Sequence, residues 1–62
     1  MTVKKLLAFS PSVMWYKFED LNGYVFYLHR NGTFMCKILD IEVLEIGTDR
    51  GSIYVKLSEA IK

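Results

Sequence analysis

Two side chains in this sequence are of the types that most often act as nucleophile, general base or metal ligand: the single histidine, His29, and the single cysteine, Cys36. In the hairpin predicted below they are diagonal neighbours on one sheet face, about 7–8 Å apart. Two ligands are fewer than a structural zinc site normally has. No carboxylate is placed beside His29, and no serine has the sequence context of a nucleophile. We therefore expect no enzymatic activity, no metal site and no cofactor.

The sequence also contains residues suited to binding another molecule, namely aromatic residues that lie close to cationic ones. Seven of the nine aromatic residues fall between positions 15 and 34, where Lys17 and Arg30 also lie. Trp and Tyr dominate the energetics of protein interfaces. Rings flanked by Lys or Arg also stack on the bases of single-stranded nucleic acids. Residues 15–18 and 23–26 resemble, in composition only, the aromatic strands of RNA-recognition and cold-shock domains.

The chain is short and apolar, so its stability is expected to depend on association. It has 62 residues, of which 52% are hydrophobic and 24% are charged; this composition excludes a disordered tail and a multi-domain enzyme. Burial of apolar surface contributes about 95 kcal/mol, and ordering the chain costs about 93 kcal/mol. One cysteine cannot form an internal disulfide. Self-association or a bound partner is therefore the favoured source of additional stability.

Turn-forming residues recur about every ten positions, and the segments between them are rich in β-branched and aromatic residues. This pattern predicts one all-β domain spanning residues 1–62, a small curved antiparallel meander or SH3-like barrel of five to six short strands. The alternative is an α+β domain in which residues 3–9 or 57–62 form a short terminal helix. The β-branched Thr2 and Val3 favour a strand at the N-terminal segment.

The first hairpin is predicted from the turn at residues 21–23. A three-residue loop with Gly23 in the left-handed conformation pairs Phe18 with Phe26 and Tyr16 with Leu28. Paired residues share a face, so these four side chains are expected to lie together.

Two further turns complete the predicted sheet. Asn31-Gly32 is the strongest local hairpin signal, because both residues tolerate the positive φ of a type I′ turn, and it predicts a strand at 33–39. A bend then leads to a strand at 41–46. The last hairpin closes around Thr48 to Gly51 and places Ile46 opposite Ile53.

This pairing leaves both faces of the sheet apolar, whereas a soluble antiparallel sheet usually has one polar face. A closed barrel with the N-terminal segment lying over one face would shelter much of this surface, and this alternative stays open. The other hypothesis is that the face with Trp15, Tyr27 and Phe34 meets another molecule, because contiguous apolar patches on soluble proteins mark interaction sites. The predicted partner-binding residues are the anchors Trp15, Tyr27, Phe34 and Ile38, with Lys17 and Arg30 at the rim.

The function expected from these features is that of a non-catalytic protein-interaction module. Its partner is a second copy of the chain, in a homo-oligomer, or a larger protein that it regulates or inhibits, and a phage or mobile-element origin would suit its size. The alternative is a weak binder of single-stranded nucleic acid that uses the same rings, although the net charge is only +1. The longest uninterrupted apolar run, Tyr24 to Leu28, is too short to span a membrane, and we expect a cytoplasmic location.

Overall fold

A computed structural model describes all residues from Met1 to Lys62. It contains one open sheet of four strands, with one short α-helix and one 3₁₀ helix. The elements in chain order are α1 (Val3–Phe9), β1 (Trp15–Glu19), β2 (Val25–His29), the 3₁₀ helix (Thr33–Lys37), β3 (Val43–Asp49) and β4 (Ser52–Leu57). The fold is therefore small and rich in β-strand, as expected. The predicted SH3-like barrel of five to six strands is wrong, because the sheet has four strands and does not close.

The sheet is mixed, and its order is β2-β1-β4-β3. The hairpins β1–β2 and β3–β4 are antiparallel. Strands β1 and β4 join them as parallel neighbours in the centre, with Phe18 beside Val55. This central contact differs from the predicted meander, in which every strand is antiparallel to the next.

The first hairpin has the predicted turn and register. Gly23 has φ of 81°, and the Asp20 amide donates to the Tyr24 carbonyl across the loop. Phe18 lies opposite Phe26, and each later pair follows in step. A residue without a side chain adopts positive φ at little cost, so the local sequence determines this hairpin.

The last hairpin turns later than predicted. Arg50 and Gly51 form a two-residue turn with φ of 49° and 88°, and Ile46 therefore pairs with Val55 rather than with Ile53. Both turn residues have the positive φ that a type I′ hairpin requires. Between Glu45 and Asp49 the register differs from the prediction by two residues, so these side chains stay on the same face; a register shift between Val43 and Glu45 then places Val43 opposite Leu57.

The predicted hairpin at Asn31-Gly32 is wrong, and so is the strand at 33–39. Gly32 has φ of −69° and leads into the 3₁₀ helix. A β-carbon on Gly32 would lie 3.0 Å from the His29 carbonyl oxygen, so this glycine permits a close approach of two backbone segments rather than a positive φ. The 3₁₀ helix buries Met35 in the core.

Residues 3–9 form α1, as in the α+β alternative, and the strand favoured for them is wrong. The Thr2 hydroxyl accepts a hydrogen bond from the Lys5 amide and so caps the helix, while Val3 and Leu6 face the core. Burial of this apolar stripe outweighs the weak helix propensity of Val3. Residues 57–62 are not helical. The α-helix is too short to cross a membrane.

The core lies on one face of the sheet only. Tyr16, Phe18, Val55 and Leu57 point to this inner face and are fully buried. The helix α1 and the 3₁₀ helix supply the second layer of the core. The remaining buried apolar residues are Val3, Leu6, Met35, Ile38 and Ile41. The opposite face has no covering layer, and this is the surface on which the candidate site lies.

Candidate interaction surface

The exposed face of the sheet, here called the outer face, is built by alternate residues of all four strands. The pairing places Lys17 beside both Tyr27 and Tyr54, which fixes which residues share this face. Its members are Trp15, Lys17 and Glu19 on β1, Val25, Tyr27 and His29 on β2, Glu45, Gly47 and Asp49 on β3, and Ser52, Tyr54 and Lys56 on β4.

One half of the outer face is aromatic and apolar. This aromatic half consists of Trp15, Val25, Tyr27 and His29. Trp15 is 52% exposed and Tyr27 is 56% exposed, although both are large rings on regular strands. Trp15 packs edge-to-face on His29 at a ring distance of 5.1 Å. His29 thus acts as a packing partner of Trp15, and Cys36 lies on the 3₁₀ helix rather than beside it.

The other half of the outer face is occupied by ion pairs. Lys17 Nζ donates to Asp49 Oδ2 at 2.8 Å, and Lys56 Nζ donates to Glu19 Oε2 at 3.0 Å. The Tyr54 hydroxyl donates to the second oxygen of Glu19 at 3.1 Å. These contacts join β1 to β4 and to β3 across the sheet.

These contacts shift the pKa values of the groups that make them. The hydrogen bond from Lys56, followed by that from Tyr54, lowers the pKa of Glu19. The hydrogen bond with Lys17 lowers the pKa of Asp49, and the same bond raises the pKa of Lys17. Desolvation, followed by the hydrogen bond to Glu19, raises the pKa of Tyr54. All of these groups are therefore held in the protonation state that they have at neutral pH.

The charges leave no free cation on the outer face. Both of its lysines, Lys17 and Lys56, are paired with carboxylates. Glu45, opposite Lys56, adds a third carboxylate to the face. A phosphate backbone would therefore meet paired lysines and net negative charge, which is unfavourable for nucleic acid.

The free edge of β2, here called the β2 edge, carries backbone groups without partners. The backbone amide of Asp20 donates to the Tyr24 carbonyl, and the backbone amide of Arg30 donates to the Met14 carbonyl. The even-numbered residues of this hairpin therefore form the hydrogen-bonded pairs. In an antiparallel pair the alternate residues direct their amides and carbonyls away from the partner strand. Val25 and Tyr27 are such residues, and no turn or side chain takes up their backbone groups.

The β2 edge also lacks the features that usually protect a sheet edge. Its sequence, Val25–His29, contains no proline, no lysine and no carboxylate, and no bulge interrupts its pairing. The opposite edge, β3, has a register shift between Val43 and Glu45, and it carries Glu45 and Asp49. Only the β2 edge is therefore unprotected against pairing with another strand.

An apolar pocket lies on the inner side of β2. It has a volume of about 350 Å³. Its lining residues are Tyr24, Phe26, Leu28, Phe34, Ile61 and Lys62. Phe34 packs edge-to-face on Phe26 at 6.1 Å. A strand added at the β2 edge would therefore meet apolar surface on both sides of the sheet.

The structure separates the six residues predicted for partner binding. Trp15, Tyr27 and Lys17 lie together on the outer face, where the Lys17 ammonium lies 5.9 Å from the centre of the Tyr27 ring. Phe34 is 38% exposed but belongs to the inner pocket. Ile38 is a core residue, contrary to its predicted place on the same face, because the 3₁₀ helix replaces the predicted strand.

Arg30 is also not at the rim of this surface. Its guanidinium turns inward and donates to the carbonyl oxygens of Leu7, Ser10 and Val13 at 3.0, 2.8 and 2.7 Å. The half-buried Arg30 side chain therefore caps the C-terminal end of α1.

Sequence reasoning missed the contribution of β3 and β4 to the outer face. The signal was present in β4, where the apolar residues Ile53, Val55 and Leu57 alternate with polar ones. This alternation predicts a strand with one wet face. The parallel pairing with β1 that brings Tyr54 and Lys56 beside Lys17 and Glu19 has no local signal.

We expect stability to fall in acid, because three carboxyl groups have lowered pKa values. These are Glu19, Asp20 and Asp49, whose ordinary values are 4.5, 3.8 and 3.8. A lowered pKa in the folded state means that the stabilisation is complete above the ordinary value and is lost as the pH falls through the lowered one. The melting temperature, measured by circular dichroism, should therefore be constant from pH 7 to about pH 5 and fall steeply below about pH 4.

The double variant Glu19→Gln, Asp49→Asn is the control for this prediction. It removes two of the three groups, so its melting temperature should depend less on pH in the same acidic range. A wild-type melting temperature that stays level or rises towards pH 2 would contradict the assignment.

Comparisons with family models, with curated proteins and with solved structures find no match to this chain, and the geometry of the β2 edge and the outer face therefore has to carry the functional argument.

Proposed function

We propose that the chain is a non-catalytic protein-interaction module that binds an extended apolar segment of a partner protein at the β2 edge. The observation that carries the proposal is the pair of unpartnered backbone positions, Val25 and Tyr27, on an exposed strand with no charged residue. Strand addition of this kind is a recurrent mode of peptide recognition, in which main-chain hydrogen bonds supply affinity and alternate side chains supply specificity.

The surfaces on either side of the β2 edge favour an apolar partner segment. A strand paired with β2 would lie about 4.8 Å from it and point its side chains alternately to the two faces. On the outer face these side chains would meet Val25 and Tyr27 of the aromatic half. On the inner face they would meet Phe26 and Phe34 at the pocket. A charged segment would lose its hydration against these surfaces, and Lys62 is the only charged residue of the pocket lining with which it could form an ion pair.

A chain of this size that binds one extended segment of its partner would act as a small regulator or inhibitor, because it covers a segment that the partner otherwise uses. The cytoplasm would suit such a role, because the exposed thiol of Cys36 stays reduced there. The exposed rings Trp15 and Tyr27 favour the second candidate, a binder of single-stranded nucleic acid, through base stacking. The ion-paired lysines of the outer face argue against it.

The test is selection of displayed random peptides on the immobilised chain, followed by binding measurements on the enriched peptides. We expect enriched sequences that alternate apolar residues and lack proline, and binding that changes the emission of Trp15, the only tryptophan. Val25→Pro removes an outward amide without breaking the pairing with β1 and should weaken binding roughly tenfold or more. No enrichment, or unchanged affinity in this variant, would contradict the proposal.

Two controls complete the experiment. Thr48→Pro changes an exposed residue on the β3 edge in the same chemical way, and we expect it to leave peptide affinity unchanged. Titration of Trp15 fluorescence with single-stranded oligothymidylate at low salt tests the second candidate. Quenching that disappears at high salt would favour nucleic acid over the peptide segment.

A further inference from the structure

We propose that one occupant of the β2 edge is the β2 strand of a second copy of this chain, paired antiparallel about a two-fold axis at Tyr27. This inference rests on the proposed function, since it names a partner for the same edge. The two four-stranded sheets would join into one continuous sheet, and the free edges that remain would be the two protected β3 strands.

The backbone pattern of β2 is self-complementary in this arrangement. Val25, Tyr27 and His29 direct their amides and carbonyls outward, and these three positions are symmetric about Tyr27. Tyr27 would face its own symmetry mate, and Val25 of each copy would face His29 of the other. About six main-chain hydrogen bonds form in such a pair of five-residue strands. The His29 carbonyl already accepts from Gly32, and its second lone pair remains available.

The side-chain chemistry also suits a second copy. β2 contains no lysine, arginine or carboxylate, and the residue at the two-fold axis is the uncharged Tyr27, so the axis itself brings no like charges together. On the outer face the cation nearest to β2 is Lys17, which lies one strand further in and is paired with Asp49. On the inner face the Lys62 ammonium lies 5.3 Å from the centre of the Tyr24 ring, at the end of β2 and away from the axis. Across the axis the two Lys17 residues would be about three strand spacings, or about 14 Å, apart, beyond the screening length at physiological salt.

Association at this edge would cover apolar surface that the monomer leaves open. On the inner face, Phe26 of each copy would lie opposite Leu28 of the other, next to the two pockets. On the outer face, the two aromatic halves would become one strip across the axis. A chain that buries so few side chains in its own core gains much stability from such a contact. Only ten of its 62 residues are buried in the monomer.

A charge-swap experiment tests the symmetric pairing. Sedimentation equilibrium from about 1 to about 200 µM should show a reversible dimer of the wild-type chain. Tyr27→Lys and Tyr27→Glu each place like charges opposite one another, and each should raise the dimer dissociation constant roughly tenfold or more. An equimolar mixture of the two variants places opposite charges together and should restore association. Tyr27 is exposed, so neither change disturbs the core.

The matched control is the pair Leu44→Lys and Leu44→Glu, which changes an exposed apolar residue on β3 and should leave the dimer intact. A monomeric wild type throughout this range would overturn the inference, and so would a dimer insensitive to both Tyr27 variants or a mixture that fails to associate. None of these results would affect peptide binding that is sensitive to Val25→Pro, which tests the proposed function separately.

Discussion

Replacing Arg30 with methionine is expected to destabilise the protein by about 2–4 kcal/mol, because three carbonyl groups lose a charged donor at once. The guanidinium reaches Leu7, Ser10 and Val13, so one side chain satisfies the end of α1 and the segment that leads into β1. Domains of this size rarely have more than about 3–5 kcal/mol of stability in total. Urea denaturation followed by circular dichroism should therefore show a midpoint near zero denaturant, with much of the variant unfolded in buffer.

Arg30→Lys and Arg50→Met are the controls for this effect. Lysine keeps the charge but cannot span three acceptors in different directions, so its midpoint should lie between those of the wild type and Arg30→Met. Arg50 is exposed in the last turn, and its replacement should change the midpoint little. Wild-type stability in Arg30→Met would show that the carbonyls find water and that the guanidinium is dispensable.

The first hairpin could be predicted from sequence because every interaction that defines it is local. The turn needs one left-handed residue, Gly23 supplies it, and the register of β1 with β2 follows from the loop length. The same reasoning gave the wrong register at the last turn. There Arg50, a residue that rarely has positive φ, adopts it next to Gly51.

The rest of the architecture depends on contacts between distant residues. The Asn31-Gly32 pair fits a type I′ turn, but Arg30 turns inward to hold α1, and Met35 and Ile38 are needed over the inner face. Core packing and these hydrogen bonds therefore override the local turn preference. The parallel contact between β1 and β4, which joins the two hairpins into one open sheet, likewise has no signature at short range.

The candidate surface could be predicted in part for the same reason. Trp15 and Tyr27 belong to the locally determined hairpin, so alternation alone assigned them to one face. Phe34 and Ile38 were assigned to that face through a strand that does not form. Lys17 was expected at a rim and instead contacts Tyr27 and Asp49 in the middle of the outer face.

Replacement of Asp20 is the second change with a large expected effect on stability, because its carboxylate connects the turn after β1 with the C-terminal segment. The carboxylate is fully buried, and four backbone amides donate hydrogen bonds to it. Oδ1 accepts from the amides of Asn22 and Tyr24 at 2.8 and 2.9 Å, and Oδ2 accepts from those of Ile61 and Lys62 at 2.8 and 3.0 Å. Desolvation raises the pKa of Asp20, but the four amides together outweigh it and lower the pKa.

Asp20→Ala removes all four acceptor contacts and is expected to cost about 2–4 kcal/mol, measured by urea denaturation. Asp20→Asn is the more informative variant. Its oxygen can still accept from Asn22 and Tyr24, while its NH₂ group would face two donors at Ile61 and Lys62. It should therefore lose about half as much stability.

Amide hydrogen exchange distinguishes the two halves of the Asp20 contact. In Asp20→Asn we expect fast exchange at Ile61 and Lys62, with Asn22 and Tyr24 still protected. Because Ile61 and Lys62 line the apolar pocket beside β2, their release should also change peptide affinity at the β2 edge without altering β2 itself. Equal loss of protection at all four amides would show that the turn and the 61–62 segment depend on one another, and the division of roles between the two carboxylate oxygens would then be wrong.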